Sequence, residues 1–252
     1  MSLKDKNVVV TGGSRGLGLG LVEALVAQGA RVTVVARGAD GLDAVRARLG
    51  VATIAADVTD EIAAQRILAD VRPDILVLNA GATPPTGRLD QLSWADFTGP
   101  WEHDVKAGLY WLQAALNLPL EPGSRVLVGS SGAAVNGSPM SGGYAGAKRM
   151  LWFMAKYANG VSQQKKLGIR FQAIVPQQMV GGTGVGDAGA NAYARASGVK
   201  PEEILAAFGA PMPPRDFGEK VVSVLDDPKF AEGLAFGLKG DTGITMLEGA
   251  AA

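Results

Sequence analysis

Residues 8–18 read Val-Val-Val-Thr-Gly-Gly-Ser-Arg-Gly-Leu-Gly, and this stretch decides the fold of the chain. The three valines predict a buried strand, and apolar residues at helical spacing over 19–26 predict a helix that ends at Gly29. Glycines between a strand and a helix let a phosphate approach the backbone, and the helix N-terminus presents free N–H groups to it. The stretch therefore predicts a dinucleotide site, although a tight strand-to-helix turn would also explain the glycines.

The alternation of strand and helix patterns continues along the chain. Short apolar runs predict strands at 31–36, 52–56, 75–78, 125–129, 169–175 and 234–238. Helical patterns occupy 43–49, 61–71, 93–118, 142–166 and 191–226, with interruptions expected at Gly99-Pro100 and at 211–214. Buried strands that alternate with helices indicate an α/β fold, with a doubly wound parallel sheet covered by helices on both faces. We expect a single domain over 1–252, with a mobile substrate lid at about 177–210.

Composition excludes several classes of function. The 252 residues include 24 Lys+Arg and 24 Asp+Glu, and this balance leaves no basic surface for nucleic acid or an anionic membrane. The chain has no cysteine and one histidine, which rules out thiol catalysis, zinc–thiolate sites and histidine-rich metal sites. No apolar stretch has the length of a membrane span, and no signal-peptide core is present. We therefore expect a cytoplasmic protein without a metal site.

A candidate acid–base group lies in the second half of the chain. Tyr144 and Lys148 are four residues apart in a predicted helix and therefore share one face of it. A free phenol has a pKa of about 10, and a fixed ammonium group beside it favours the phenolate. Ser131 can hydrogen-bond a carbonyl or hydroxyl that is presented to the phenol. These residues predict the interconversion of a carbonyl and an alcohol without a metal.

Two arginines indicate which dinucleotide is bound. An NAD-binding fold usually places an acidic residue at the end of the second strand for the ribose hydroxyls. This chain has Arg37 at that position and Arg15 in the glycine turn. Two guanidinium groups suit a ribose 2′-phosphate, so the pair predicts a preference for NADP(H). The alternative is that Arg37 is a solvated loop residue.

Taken together, these residues resemble the classical short-chain dehydrogenase/reductase (SDR) family over nearly the whole chain. The resemblance implies one Rossmann-like domain, a nicotinamide cofactor, and a homotetramer or homodimer. It implies that Tyr144 is the general acid/base, that Ser131 positions the substrate oxygen, and that Lys148 holds the nicotinamide ribose. The matching elements are Thr-Gly-Gly-Ser-Arg-Gly-Leu-Gly at 11–18, Asp57-Val58, Asn79-Ala80-Gly81, Ser131, Tyr144 and Lys148, in the family's order and spacing.

The resemblance also implies the remaining cofactor contacts. The glycine turn would hold the pyrophosphate, and Asp57-Val58 would meet the adenine edge. Met179 or Val180, together with Thr183, would lie beside the nicotinamide carboxamide. The residues expected to bind the cofactor are Gly12, Ser14, Arg15, Gly16, Leu17, Gly18, Arg37, Asp57, Val58, Asn79, Ala80, Gly81, Tyr144, Lys148, Pro176, Met179 and Thr183.

Two positions depart from the family's pattern. Asp104 stands where many members have a catalytic Asn whose backbone carbonyl holds a water of the proton relay. An ionised carboxylate there would raise the pKa of Lys148 and weaken or redirect the relay, while a purely structural role is the alternative. Gln177 follows Pro176 where the family usually has glycine, and it either contacts substrate or only replaces a turn residue. His103, beside Asp104, is expected on a helix surface.

The expected substrate pocket has mostly small or apolar walls, and its members are Ala133, Asn136, Gln177 and Val180. Such walls suit a neutral ketone, aldehyde or secondary alcohol. We therefore predict an NADPH-dependent carbonyl reductase, or an alcohol dehydrogenase in the reverse direction. The alternatives are an SDR enzyme that acts on an imine or a cyclic diol, and a non-catalytic NADPH-sensing protein.

Overall fold

The computed structural model describes residues 2–249, so Met1 and residues 250–252 of the predicted domain lie outside the described range. One eight-stranded sheet forms its centre. The strands are β1 (Asn7–Thr11), β2 (Arg31–Ala36), β3 (Ala52–Ala55), β4 (Ile75–Leu78), β5 (Arg125–Gly129), β6 (Arg170–Pro176), β7 (Gly233–Lys239) and β8 (Gly243–Gly249). Their order is β3-β2-β1-β4-β5-β6-β7-β8, and all neighbouring pairs through β7 are parallel. The predicted doubly wound parallel sheet is confirmed.

Helices connect the parallel strands. They are α1 (Gly16–Ala27), α2 (Ala39–Leu49), α3 (Glu61–Val71), α4 (Trp94–Pro100), α5 (Lys106–Asn117), α6 (Ala133–Asn136), α7 (Gly142–Gln164), α8 (Gly184–Ser197), α9 (Pro201–Ala206) and α10 (Pro214–Asp226). The interruption predicted at Gly99-Pro100 occurs, because α4 ends at Pro100 and a π-helical turn over Trp101–Val105 separates it from α5. Proline lacks the N–H that a regular helix needs, and π-helical turns are frequent at functional sites.

The central strand β1 explains why the sheet is buried on both faces. Val8 and Val10 pack into the layer that contains α1 and α10, while Val9 packs into the layer that contains α3, α5 and α7. All three side chains are fully buried. Successive side chains of a strand point to opposite faces of the sheet, so a continuous run of valines contributes apolar side chains to the core on each face. The order of the strands reverses between β1 and β4, which is the point where ligands bind in sheets of this kind.

The end of the chain differs from the prediction. The last strand predicted from the sequence, at 234–238, corresponds to β7, but a further strand, β8, follows it and pairs with it in antiparallel fashion. The connection between β7 and β8, residues 240–242, is too short for a crossover helix. The chain therefore reverses direction and β8 pairs antiparallel with β7. The indole N–H of Trp152 donates to a Glu248 carboxylate oxygen at 3.1 Å and attaches β8 to α7.

The segment predicted as a lid contains regular structure. Helices α8 and α9 occupy much of 177–210, and Thr183 caps α8 by accepting a hydrogen bond from the Gly186 N–H at 3.1 Å. Movement of this segment stays a prediction. Within residues 2–249, no helix is both long and apolar enough to cross a bilayer.

Candidate active site

A cleft of about 940 Å³ opens at the carboxyl ends of the parallel strands. Its walls are built from segments that directly follow the first six strands, which places residues distant in sequence around one space. All of the predicted catalytic, cofactor and pocket residues line it except Asp57 and Asp104. The lining residues among those predictions are Gly12, Ser14, Arg15, Gly16, Leu17, Gly18, Arg37, Val58, Asn79, Ala80, Gly81, Ser131, Ala133, Asn136, Tyr144, Lys148, Pro176, Gln177, Met179, Val180 and Thr183.

The glycine turn fits a dinucleotide pyrophosphate. Gly12 has a φ of +68°, and a Cβ at this residue would lie 2.7 Å from the Cα of Ala80, so a side chain would not fit. A Cβ at Gly18 would collide with the Gly12 carbonyl and lie 2.5 Å from the Asn79 amide nitrogen. Along α1 no side chain caps the N-terminus and no acidic residue occupies the first turn. The N-terminal N–H groups and the positive end of the helix therefore suit an anion.

Thr11 and Asn79 hold the glycine turn against β4. The Thr11 hydroxyl accepts hydrogen bonds from the backbone N–H groups of Asn79 and Ala80, both at 3.1 Å. The Asn79 side-chain amide donates to the Gly12 carbonyl at 3.3 Å. These contacts join the ends of two neighbouring strands, so the turn has little freedom to move away from the cleft.

Arg15 and Arg37 line the same end of the cleft. Arg37 Nη1 lies 3.9 Å from an Asp57 carboxylate oxygen, but its side chain is 63% exposed, so this ion pair contributes little stability. Asp57 instead accepts hydrogen bonds from the N–H and the hydroxyl of Thr59, at 2.9 and 2.8 Å. Asp57 is thus occupied by its own turn, and its contact with an adenine edge stays a prediction.

Tyr144 and Lys148 project from the first turns of α7, and both side chains are buried. Lys148 Nζ lies 5.6 Å from the centre of the Tyr144 ring. Two contacts fix α7 against the end of β5: the Ser130 hydroxyl donates to the Lys148 carbonyl at 2.8 Å, and Lys148 Nζ donates to the Gly129 carbonyl at 3.4 Å. The phenol and the ammonium group are therefore held together at the cleft wall that also contains Ser131.

Asp104 lies behind this wall, within the π-helical turn. Its Oδ2 is 3.0 Å from Lys148 Nζ, and the two side chains are 1% and 8% exposed. The contact is a buried ion pair, and the other carboxylate oxygen, Oδ1, accepts the Ala82 backbone N–H at 2.9 Å. Asp104 does not line the cleft, and its carboxylate faces Lys148. The catalytic role expected for Asp104 from the sequence stays a prediction.

Burial and charge act in opposite directions on this pair. Burial alone would raise the pKa of Asp104, but Lys148, His103 and the Ala82 N–H together lower it to about 2. Burial alone would lower the pKa of Lys148, yet the Asp104 carboxylate and Tyr144 hold it above its ordinary value. The pair is therefore fully ionised near neutral pH, and the direction predicted for Lys148 from the sequence agrees with its surroundings.

His103 was expected on a helix surface, but the structure places it in the cleft wall. Its ring is only 18% exposed, and Nδ1 lies 3.0 Å from Asp104 Oδ1. Because an ionised carboxylate can only accept, Nδ1 carries the proton of this hydrogen bond. Nε2 is buried and has no hydrogen-bond partner among residues 2–249. The sequence offered only the adjacency of His103 to Asp104 as a signal.

The cleft wall formed by the loop before α7 and by α8 contains three hydroxyl side chains that no sequence motif indicates. The Ser138 hydroxyl lies 2.7 Å from that of Ser141 and 3.0 Å from that of Tyr193, and all three residues line the cleft. Tyr193 belongs to α8, so the contact joins the predicted lid to the loop before α7. No local pattern could have indicated a pairing between residues 55 positions apart.

Gln177 lies over β7. A Cβ at Gly237 would collide with the Gln177 side-chain oxygen and lie 2.7 Å from its amide carbon. The glutamine amide therefore occupies the space that only a glycine on β7 leaves open. Its neighbour Gln178 accepts the Gly240 N–H at 2.7 Å and donates to the Ala210 carbonyl at 3.0 Å. Both glutamines border the cleft, and Gln178 also connects the loops on either side of it.

Comparison with known proteins gives a consistent result. A family model described as short chain dehydrogenase matches residues 6–188. Levodione reductase of Leifsonia aquatica is 27% identical over 185 residues, covering 68% of each chain. A 2,5-dichloro-2,5-cyclohexadiene-1,4-diol dehydrogenase of Sphingobium indicum is 32% identical over 69% of this chain and 72% of its own. Cis-2,3-dihydrobiphenyl-2,3-diol dehydrogenase of Rhodococcus globerulus is 32% identical over 62% of this chain and 60% of its own.

Proposed function

This chain belongs to the short-chain dehydrogenase family, and we propose that it is an NADPH-dependent carbonyl reductase. It is an oxidoreductase by membership of that family, whose members use a nicotinamide cofactor. The proposed reaction reduces a mostly neutral ketone or aldehyde, and the reverse reaction oxidises a secondary alcohol. The supporting observation is that Ser131, Tyr144 and Lys148 line one cleft with the glycine turn.

Each of these side chains has a proposed role. The bound nicotinamide supplies the hydride. Tyr144 donates its phenolic proton to the carbonyl oxygen, and Ser131 donates a hydrogen bond to the same oxygen as negative charge develops on it. Lys148 is held as an ammonium ion by Asp104 and favours the phenolate that remains on Tyr144. His103 orients the Asp104 carboxylate from the opposite side.

The preference for NADP(H) rests on the charges of the cleft. Its lining includes the cations Arg15, Arg37 and Lys148 and no carboxylate from residues 2–249. Arg15 and Arg37 border the end where the glycine turn and β2 meet, which suits a ribose 2′-phosphate. Replacing Arg37 by Gln should lower kcat/KM for NADPH about tenfold or more, since hydrogen bonds to charged groups contribute about 1.5–3 kcal/mol. The value for NADH should change much less, and Arg66→Gln on α3 is the matched control.

A neutral substrate is favoured by the remaining walls. Beyond Arg15, Arg37 and Lys148, no Lys, Arg, Asp or Glu among residues 2–249 lines the cleft. Apolar side chains of the predicted lid complete the substrate end; they are Met179, Val185, Ile204 and Phe208. An anionic substrate would find no dedicated counter-charge at that end.

The decisive experiment measures NADPH consumption with a panel of ketones, aldehydes and imines. The native protein should turn over at least one ketone, and Tyr144→Phe should lower kcat about a hundredfold or more because the proton donor is lost. Tyr110→Phe on α5, outside the cleft, makes the same chemical change and serves as the control. Tight NADPH binding without turnover of any carbonyl would instead favour a sensing protein.

Oxidation of a cyclic diol is the second candidate. Two of the similar proteins are named as dehydrogenases of cyclic diols, and this chain could perform the same hydride transfer in the oxidising direction. A kcat/KM for a cyclic cis-diol with NADP⁺ that exceeds every ketone value with NADPH would favour this assignment. An imine that outperforms all ketones would point to imine reduction.

We further propose that the protein is a cytoplasmic homotetramer or homodimer. Large aromatic side chains on α4 and α7 support assembly, because Trp94 is 78% exposed and Phe153 is 37% exposed. Exposed aromatic residues are enriched at subunit interfaces. Light scattering on the purified protein measures the oligomeric state directly, and a monomeric mass at working concentration would contradict this assignment.

A further inference from the structure

Three hydroxyl groups form a connected cluster at the substrate end of the cleft. Ser138 Oγ is the centre of this hydroxyl cluster, 2.7 Å from Ser141 Oγ and 3.0 Å from the Tyr193 hydroxyl. All three residues are partly buried and line the cleft. The cluster joins two elements, since Ser138 and Ser141 precede α7 and Tyr193 belongs to α8.

The hydroxyl cluster retains hydrogen-bonding capacity. Each hydroxyl group has one proton to donate and two lone pairs to accept. The two contacts within the cluster use two of its three protons, so one O–H remains free to donate to a ligand. Unused lone pairs also remain, so the cluster can serve either a carbonyl or a hydroxyl group.

The position of the cluster relates it to the proposed reaction centre. Ser141 lies at the N-terminus of α7, three residues before Tyr144. Ser141 is the N-cap residue of α7, and Tyr144 lies in the first turn of the same helix, so both line the same part of the cleft wall. A substrate whose reacting carbonyl meets Tyr144 would therefore present an adjacent part of its skeleton to the cluster.

The residues around the hydroxyl cluster limit which substrate group can bind beside it. The neighbouring walls from the lid and the loop after β6 are apolar, including Met179, Val185 and Phe208. The Lys, Arg, Asp and Glu residues among 2–249 that line the cleft are Arg15, Arg37 and Lys148. The arginines border the glycine turn and β2, and Lys148 is already paired with Asp104, so a second charged group on the substrate would be desolvated without a free partner beside the cluster. A neutral oxygen can take the free proton or donate to a free lone pair of the cluster.

We propose that Ser138, Ser141 and Tyr193 form a recognition site for a second, non-reacting oxygen of the substrate. The substrate class is then a neutral ketone with a further hydroxyl or keto oxygen near the reacting carbonyl, or the corresponding diol. This inference rests on the proposed carbonyl reductase function and deepens it.

The test compares cyclohexanone with 2-hydroxycyclohexanone, 4-hydroxycyclohexanone and cyclohexane-1,4-dione. The native protein should show a kcat/KM for the best oxygen-bearing ketone about tenfold above that for cyclohexanone, because a site built to bond a hydroxyl discriminates against an analogue that lacks it. In Tyr193→Phe and Ser138→Ala this ratio should fall about tenfold, the equivalent of roughly 1.4 kcal/mol. The ratio is used because a general effect on folding or on the lid lowers both values and cancels.

A control variant and two contrary outcomes distinguish failure of the recognition site from failure of the proposed function. Tyr110→Phe should keep the native ratio. If ketones turn over and depend on Tyr144 but both cluster variants keep the native ratio, the recognition site is wrong and the carbonyl reductase function stands. If no ketone turns over in the native protein, the proposed function fails and this inference fails with it.

Discussion

Asp104 Oδ2 lies 3.0 Å from Lys148 Nζ, and both side chains are almost completely removed from solvent. The lysine beside Tyr144 is therefore half of a buried ion pair. A neutral Asn at position 104 would leave the ammonium group without a buried counter-ion. Removing one member of such a pair is strongly unfavourable, since the remaining charge stays buried and uncompensated.

The first prediction concerns stability. The pKa of Asp104 is about 2 in the folded protein, against 3.8 for a free carboxyl, so the ionised carboxylate stabilises the fold. This contribution is complete above about pH 4 and is lost as the pH falls through the folded value. Asp104→Asn should therefore lower the free energy of unfolding by about 2 kcal/mol at pH 7, since each pKa unit corresponds to about 1.4 kcal/mol.

The measurement is urea unfolding of the native protein and Asp104→Asn at several pH values between 7 and 3. The difference between them should shrink below about pH 4. Asp43→Asn, which removes an exposed carboxylate on α2, should change stability by less than about 0.5 kcal/mol. An Asp104→Asn difference that does not vary with pH would contradict an electrostatic origin.

The second prediction concerns the pH dependence of the reaction. Burial lowers the pKa of Lys148, and Asp104 and Tyr144 more than offset this effect, so the lysine stays charged into the alkaline range. In Asp104→Asn the carboxylate that raises the pKa of Lys148 is lost, while the burial that lowers this pKa remains, so the pKa of Lys148 should fall. The alkaline limb of the kcat/KM profile for ketone reduction should therefore move to lower pH. Profiles measured from pH 6 to 11 test this, and superimposable alkaline limbs would show that Lys148 does not control that limb.

The third prediction separates the donor function of His103 from its volume. In His103→Leu the Asp104 carboxylate keeps the Ala82 N–H but loses the imidazole donor, so stability should fall by about 1–3 kcal/mol and kcat/KM by about tenfold. In His103→Asn the side-chain NH₂ can replace Nδ1–H and should recover most of both losses. Thermal unfolding and steady-state kinetics measure the two effects. If Asn is as damaging as Leu, the hydrogen bond to Asp104 is not what His103 provides.

The fourth prediction tests Gln177 without changing it. A methyl group at Gly237 would occupy the place of the Gln177 amide, and the obstacle is the end of a flexible side chain, not backbone. Gly237→Ala should therefore fold normally but displace the amide, and it should raise the substrate KM in the same direction as Gln177→Ala. The double variant should be no worse than either single variant, because both remove the same contact. Additive effects in this cycle would show that the two residues act independently.

Much of the fold could be predicted because most of its strands, turns and helices follow from patterns among residues close together in the sequence. The valines of β1, the glycines that follow them and the apolar spacing of α1 together specify strand, turn and helix. The interruption at Pro100 was predictable because proline has no N–H for a helix. The antiparallel β8 was missed because its pairing depends on the neighbouring β7 and not on its own pattern.

The sequence by itself determined the individual strands and helices, the glycine turn and the shared helical face of Tyr144 and Lys148, since each depends on residues within a few positions of one another. Only the tertiary structure decided that Asp104 is the counter-ion of Lys148, that His103 lies in the cleft wall, and that Ser138 meets Tyr193. These contacts join residues on different elements. The spacing of residues along the sequence does not give the distance in space between separate helices and strands. Such contacts form only when the helices pack on the sheet and bring those elements together.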